Sequence, residues 1–279
     1  MSLPITDTRE LFRPLCGELV RMLRALPAAD WDRPTIAGRW RVRDVVAHLC
    51  DTALRRLSFQ RDGLLPPRDA ARTIASQDLV VLVNDLNSTW VRVAERFSPR
   101  VLTDLYDHAS SQLVAFVETL DPYQDALFPV SWAGESVSRQ WLDIGREFTE
   151  IWHHGAQIRE AVGAGPFADP RWLEAVLQIS MHSLPVAYRT MQPAGEDVSI
   201  LIDITGPASG TWTVHRVRGT WDVDEGGAAA PTATISMTDQ TAWRLLFNAL
   251  PPLEARSHLR IEGNADLAVP LIAARSVIV

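Results

Sequence analysis

The sequence predicts a chain of mixed class, an all-α part followed by an α+β part: a helical bundle over residues 1–165 and a smaller α+β domain over 166–279. Three observations carry this. Apolar residues recur every three or four positions through the first part, the period of a helix with one buried face. Gly163, Gly165 and Pro166 then interrupt the pattern. From Val198 the apolar period falls to two, the period of a strand.

Each element follows from its own residues. Leu11, Leu15, Leu19, Leu23 and Leu26 make one stripe of a first helix that Pro27 ends. A second helix begins near Arg41, with Val42, Val45, Val46, Leu49 and Ala53 on one face, and runs to about Gln60. Gly63, Pro66 and Pro67 form a loop, and a third helix covers roughly Ser76 to Phe97. Ser98-Pro99 is a cap followed by a first-turn proline, so a fourth helix starts there and continues to about Leu120. Ala126 to Val137 reads as irregular or as a short extended excursion. The last bundle helix spans about Ser138 to Val162, with Trp141, Ile144, Phe148, Ile151, Gly155, Ile158 and Val162 as its stripe. Four or five such helices suit an up-and-down bundle.

In the second part Pro170 starts a helix to about Tyr188. Val198, Ile200, Ile202 and Ile204 alternate with Ser199, Leu201, Asp203 and Thr205 in a strand. Thr211–Val217 and Thr220–Val223 form a hairpin turning near Gly219, and Ala233–Met237 is a further strand. Thr238 caps a helix carrying Ala242, Leu245, Leu246 and Ala249. His258–Ile261 is a final short strand, and Asn264 caps a terminal helix kinked or shortened by Pro270.

Composition excludes several chemistries. All 27 cationic side chains are arginines, so there is no lysine for a Schiff base or a Walker-type phosphate loop. A net charge of −7 argues against a nucleic-acid binder. Cys16 and Cys50 cannot build a disulfide framework or a four-cysteine zinc site, and both read as small buried hydrophobes. Met1 to Glu10 show no secretory pattern, and no run of about 18 apolar residues suggests a membrane span. A reduced, cytoplasmic protein acting on a small molecule, as monomer or homodimer, is the expectation. No Ser-His-Asp order, dinucleotide loop or Cys-x-x-Cys stands in the required context.

Histidines remain. Glu150 and His154 are four apart on the last bundle helix, where side chains lie one above the other and can close on one metal ion. Glu150 with His153 is the weaker geometric alternative. Glu147 sits a turn further up as a supporting acid or a solvated charge. His48, on the flank of the second helix's apolar stripe, is the candidate third ligand. Two imidazoles and a carboxylate leave a tetrahedral ion one open position, the pattern of catalytic zinc.

Two segments carry a resemblance to a known family. Trp40-Arg41-Val42-Arg43-Asp44-Val45-Val46-Ala47-His48-Leu49-Cys50-Asp51 resembles the second-helix signature of the DinB-like superfamily, in particular its mycothiol-dependent maleylpyruvate isomerase branch. Arg146-Glu147-Phe148-Thr149-Glu150-Ile151-Trp152-His153-His154-Gly155-Ala156-Gln157-Ile158-Arg159 looks like the same family's last bundle helix. Thr232 to Ile272 is similar to the α+β domain that follows the DinB-like four-helix bundle in that branch and resembles sterol-carrier-type folds. Carried over position by position, the resemblance implies His48, Glu150 and His154 as ligands of a divalent metal, usually zinc. It further implies a low-molecular-weight thiol cofactor, mycothiol or similar, that adds to an electrophile for isomerisation or S-transfer. A non-catalytic metal-binding module and a metal-assisted hydrolase are the alternatives. Arg244 lies where the family has a functional arginine, though any arginine here reads first as a solvated charge. Trp152 is read as core or pocket wall, His108 as exposed, a base or an extra ligand, and His182, His215 and His258 as structural or exposed.

Overall fold

The computed structural model describes residues 3–64, 79–192 and 197–277. The sequence expectation for 65–78, including Pro66, Pro67 and the start of the third helix at Ser76, lies outside the described residues.

The helices of the first part are α1 (Arg9–Ala25), α2 (Val42–Arg56), α3 (Leu79–Ala94), α4 (Pro99–Val117) and α5 (Gln140–Val162). The second part contributes α6 (Pro170–Ser180), α7 (Leu184–Tyr188), α8 (Asp239–Leu246), α9 (Pro252–Ala255) and α10 (Val269–Ala273), with strands β1 (Ser199–Thr205), β2 (Gly210–Val217), β3 (Thr220–Glu225), β4 (Ala233–Thr238) and β5 (Arg260–Gly263). A helical region thus precedes a small mixed sheet-and-helix region. By packing, the chain forms two compact units: Thr8–Asp121 with Glu150–Phe167, and Met1–Asp7, Pro122–Thr149 and Ala168–Val279. These units divide the chain by compactness, whereas a boundary at 165–166 divides it by element type; α5 contributes to both.

In the helical unit, α1 buries Phe12, Leu15, Cys16, Leu19, Val20 and Leu23; Leu15, Leu19 and Leu23 are the middle of the expected stripe, whereas its ends, Leu11 and Leu26, are only partly buried. The start of α2 is fixed by Asp44, whose carboxylate accepts from the Arg41 backbone N–H at 2.9 Å and from the Arg41 guanidinium at 3.0 Å. Past Arg56 the chain widens into a π-helical turn, Leu57–Arg61. Ser98 caps α4, its hydroxyl accepting from the Val101 N–H, with Pro99 in the first turn where its missing N–H costs nothing. α2 packs between α3 and α4, and the indole of Trp90 on α3 donates to the Ala47 carbonyl on α2 at 2.8 Å.

The sheet of the second unit has the order β3-β2-β1-β4-β5. β1 pairs antiparallel with β2 but parallel with β4, so the chain crosses over between them. Ile200, Ile202 and Ile204 of β1, Trp212 and Val214 of β2, Val223 of β3 and Ile235 of β4 share one buried face. The β2–β3 turn places Arg218 and Gly219 at positive φ, the conformation a tight two-residue hairpin demands. Thr238 caps α8 through the Thr241 N–H, and Asn264 caps the turn that leads to α10.

Three expectations shift in position. The single helix from Pro170 breaks at a 3-10 turn, Met181–Ser183, because Pro185 has no N–H to continue the ladder and is stable only in the first turn of α7. The last strand begins at Arg260 rather than His258, which closes a 3-10 turn. Pro270 stands in the first turn of α10 and so starts that helix rather than kinking it.

Candidate metal centre

His48 lies in the middle of α2, while Glu150 and His154 are one turn apart on α5. All three belong to the helical unit. One donor atom from each lies within 4.8 Å of the other two. His48 Nε2 is 2.8 Å from Glu150 Oε1, and His154 Nε2 is 3.3 Å from the same oxygen. The two imidazole rings stand edge to face, with centroids 4.7 Å apart. His153, the alternative partner, is more remote: its Nδ1 is 4.0 Å from the other carboxylate oxygen.

The helix that carries two of these groups is buried well beyond one stripe. From Ile151 to Gln157 every residue of α5 is buried, and His48 is only 4% exposed on α2. Taking an imidazole out of water disfavours its charged form, so burial holds His48 below the usual histidine range, opposed in part by its hydrogen bond to Glu150. Burial would raise the Glu150 carboxyl. The facing imidazoles of His154, His48 and His153 outweigh that and hold it well below the usual carboxylate range. Hence a neutral His48 faces an anionic Glu150 at neutral pH, the protonation states in which such groups ligate metal.

The donor set fits a divalent cation. Tetrahedral zinc bonds of ~2.0–2.1 Å separate ligand atoms by about 3.3 Å, close to the spacings between Glu150 Oε1 and the two imidazoles. His154 Nδ1 is 2.7 Å from Gln157 Oε1, which leaves Nε2 facing the carboxylate. Trp40, just before α2, lies over the pair, its ring centroid 4.8 Å from that of His48 and 6.1 Å from that of His154. Neither Gln157 nor Trp40 was singled out as a site residue by sequence reasoning; the signal for Gln157 was its i+3 spacing from His154.

The remaining candidates go elsewhere. Glu147 is buried, with Arg146 3.6 Å from its carboxylate, so it is no solvated charge. His108 is exposed on α4, as one of its readings has it, and hydrogen-bonds Gln112 at 2.7 Å. Trp152 is buried with its ring 5.9 Å from that of Phe167. Arg244 stacks on its neighbour Trp243 at 4.9 Å and donates to the Gln240 carbonyl. Arg43 donates to the Glu95 and Phe97 carbonyls. His182 packs against Trp141, His215 lies 3.9 Å from Asp224, and His258 closes a 3-10 turn. Cys50 is fully buried and its thiol is pushed up to about 11 by burial, with Asp51 adding to the shift. Cys16 is likewise buried, so neither is a reactive nucleophile at neutral pH.

Among the described residues no helix is long and apolar enough to cross a membrane. No curated protein shows significant similarity to the chain. Crystal structures of the mycothiol-dependent maleylpyruvate isomerase and of a mutant of it are similar in fold, with TM-scores of 0.51 and 0.52. Each is 14% identical and covers 87% of this chain and 88% of its own. A sterol carrier protein 2-like 2 structure from Aedes aegypti covers 35% of this chain and 94% of its own, at 18% identity and a TM-score of 0.28. A family model described as the mycothiol maleylpyruvate isomerase N-terminal domain matches residues 12–159, a span that holds His48, Glu150 and His154. With more than half of its length matched in this way, the chain belongs to the mycothiol maleylpyruvate isomerase N-terminal domain family, within the DinB-like superfamily.

Proposed function

We propose that the protein is a metal-dependent enzyme that uses a low-molecular-weight thiol, mycothiol or a close analogue, to isomerise a small electrophilic substrate or to transfer the thiol to it. The observation that carries this reading is the convergence of His48, Glu150 and His154 within 4.8 Å, with the carboxylate held anionic and the His48 imidazole held neutral. These three residues would hold the ion, and zinc is the metal that two imidazoles and one carboxylate suit best. A divalent metal with an open position lowers the pKa of a thiol that ligates it and so supplies a nucleophile at neutral pH.

The chain's own groups do the rest. Glu150 contributes the negative charge that offsets the cation. The imidazoles of His48 and His154 are buried, Glu150 is partly buried, and the Trp40 ring covers the two imidazoles from one side. The two cysteines are buried, and Cys50 stays protonated at neutral pH, which favours a thiol supplied from outside.

The test is elemental analysis of the purified protein followed by cobalt substitution and a panel of small thiols. The expected result is one divalent ion per chain and a thiol-to-cobalt charge-transfer band with at least one thiol. Stoichiometric metal with no band for any thiol would overturn the thiol reading in favour of a non-catalytic module or a hydrolase.

A further inference from the structure

We propose that Gln157 is a positioning residue that sets the proton of His154 on Nδ1, and thereby presents Nε2 to the metal before any metal arrives. The inference deepens the metal reading and rests on it in one respect only, the consequence for metal affinity.

The geometry is specific. Gln157 is three residues beyond His154 on α5, so its side chain rises on the same helix face. It is 3% exposed and His154 is 7% exposed, so water competes poorly for this contact. Gln157 Oε1 is 2.7 Å from His154 Nδ1. An amide oxygen only accepts hydrogen bonds, so the imidazole nitrogen facing it must carry the hydrogen. A neutral imidazole has one N–H, and its other nitrogen, Nε2, therefore carries the lone pair. That nitrogen is 3.3 Å from Glu150 Oε1, on the side where the three donors converge. Glu150 is the competing acceptor, but its contact is the longer of the two, and the same oxygen already faces His48 Nε2 at 2.8 Å. The His154 proton is therefore assigned to the shorter contact with Gln157.

His48 has no such device. Its Nε2 faces Glu150 Oε1 at 2.8 Å, and its Nδ1 is buried with no hydrogen-bond partner among the described residues. Facing an anionic carboxylate, Nε2 of His48 is the donor in the metal-free protein, and its lone pair sits on Nδ1. The two histidines thus enter metal binding from opposite tautomers. His154 is arranged in advance by Gln157, whereas His48 must transfer its proton or turn its ring. Acceptors behind ligating histidines are worth roughly 10–100-fold in metal affinity when removed. Gln157 concentrates that contribution on one ligand.

The experiment has two readouts on the full chain. Long-range 15N–1H NMR of histidine-labelled, metal-free protein reports each ring's tautomer, and competition with a chromophoric chelator reports the zinc dissociation constant. In the wild type the Nδ1–H form is expected for His154. Gln157→Leu should lose that preference and weaken zinc binding roughly 10- to 100-fold. Gln157→Glu, which keeps an acceptor of the same length, should restore both. Circular dichroism and thermal melting establish that each variant is folded; if Gln157→Leu is not, the His154 tautomer of the wild type decides. Tight zinc binding by Gln157→Leu equal to the wild type, or an Nε2–H tautomer at His154 in the wild type, would overturn the inference. A wild type that binds no zinc while His154 shows the Nδ1–H form would overturn the metal reading and leave the tautomer assignment standing.

Discussion

His48 Nε2 and Glu150 Oε1 lie 2.8 Å apart although 102 positions separate them in sequence. This one contact ties α2 to α5 at the point where a third donor, His154, arrives from the next turn. The first prediction follows from it. His48→Ala and His154→Ala should each abolish stoichiometric metal, since either change leaves two ligands, and elemental analysis of the purified variants checks it. Full metal content in either variant would remove that residue from the centre.

The cysteines should be silent in the folded protein. Cys50 is fully buried with its thiol pushed up to about 11, and Cys16 is 5% exposed. Thiolate is the reactive form, so iodoacetamide at pH 7.5 should label neither in native buffer and both in urea, as read by intact mass. Rapid native labelling of Cys50 would contradict its packing.

Gly155, next to His154, should resist enlargement. A Cβ at this position would lie 2.8 Å from Phe167 Cζ, and the Phe167 ring is itself held under the Arg159 guanidinium at 4.8 Å. Alanine gains about 1 kcal/mol in helix propensity over glycine, but overpacking of this kind costs about 1–3 kcal/mol. Gly155→Ala should therefore be net destabilising by urea denaturation. Adding Phe167→Leu, which shortens the opposing ring, should recover part of the loss.

His182 should make the protein sensitive to mild acid. Burial beside Trp141 lowers its pKa to about 4, with Asp222 opposing. A histidine depressed in the folded state binds protons more readily when unfolded. Its contribution is fully present above about pH 6.5 and is lost as pH falls towards 4. The shift corresponds to at most about 3 kcal/mol over that window. His182→Gln removes the titrating group, so the difference in urea midpoint between pH 7.5 and pH 4.5 should shrink. An unchanged difference would mean that other groups set the acid response.

Much of the local structure was legible because it is written in short spacings. The Leu15–Leu19–Leu23 stripe, the Ser98-Pro99 start, the alternation of Ile200, Ile202 and Ile204, and the Thr238 cap each depend on residues within a turn or two of one another. The family resemblance read from the segments around His48 and Glu150 agrees with the family model that spans both. The break at Met181–Ser183 was missed because Leu184 and Tyr188 continue the apolar pattern across it, while Pro185 decides the backbone.

The sequence by itself determined most of the elements, their order, and the placing of Glu150 and His154 on one helix face, because helical periodicity places residues four apart on one face whatever surrounds the helix. Tertiary structure alone decided that His48 comes to 2.8 Å from Glu150, how β1 comes to lie parallel to β4, and that α5 is buried all round from Ile151 to Gln157. It also decided that Gln157 Oε1 lies against His154 Nδ1 rather than in solvent. Periodicity fixes the direction of a side chain relative to its own helix. Its partner and its burial depend on what packs there, and that packing is set by contacts between residues tens to hundreds of positions apart.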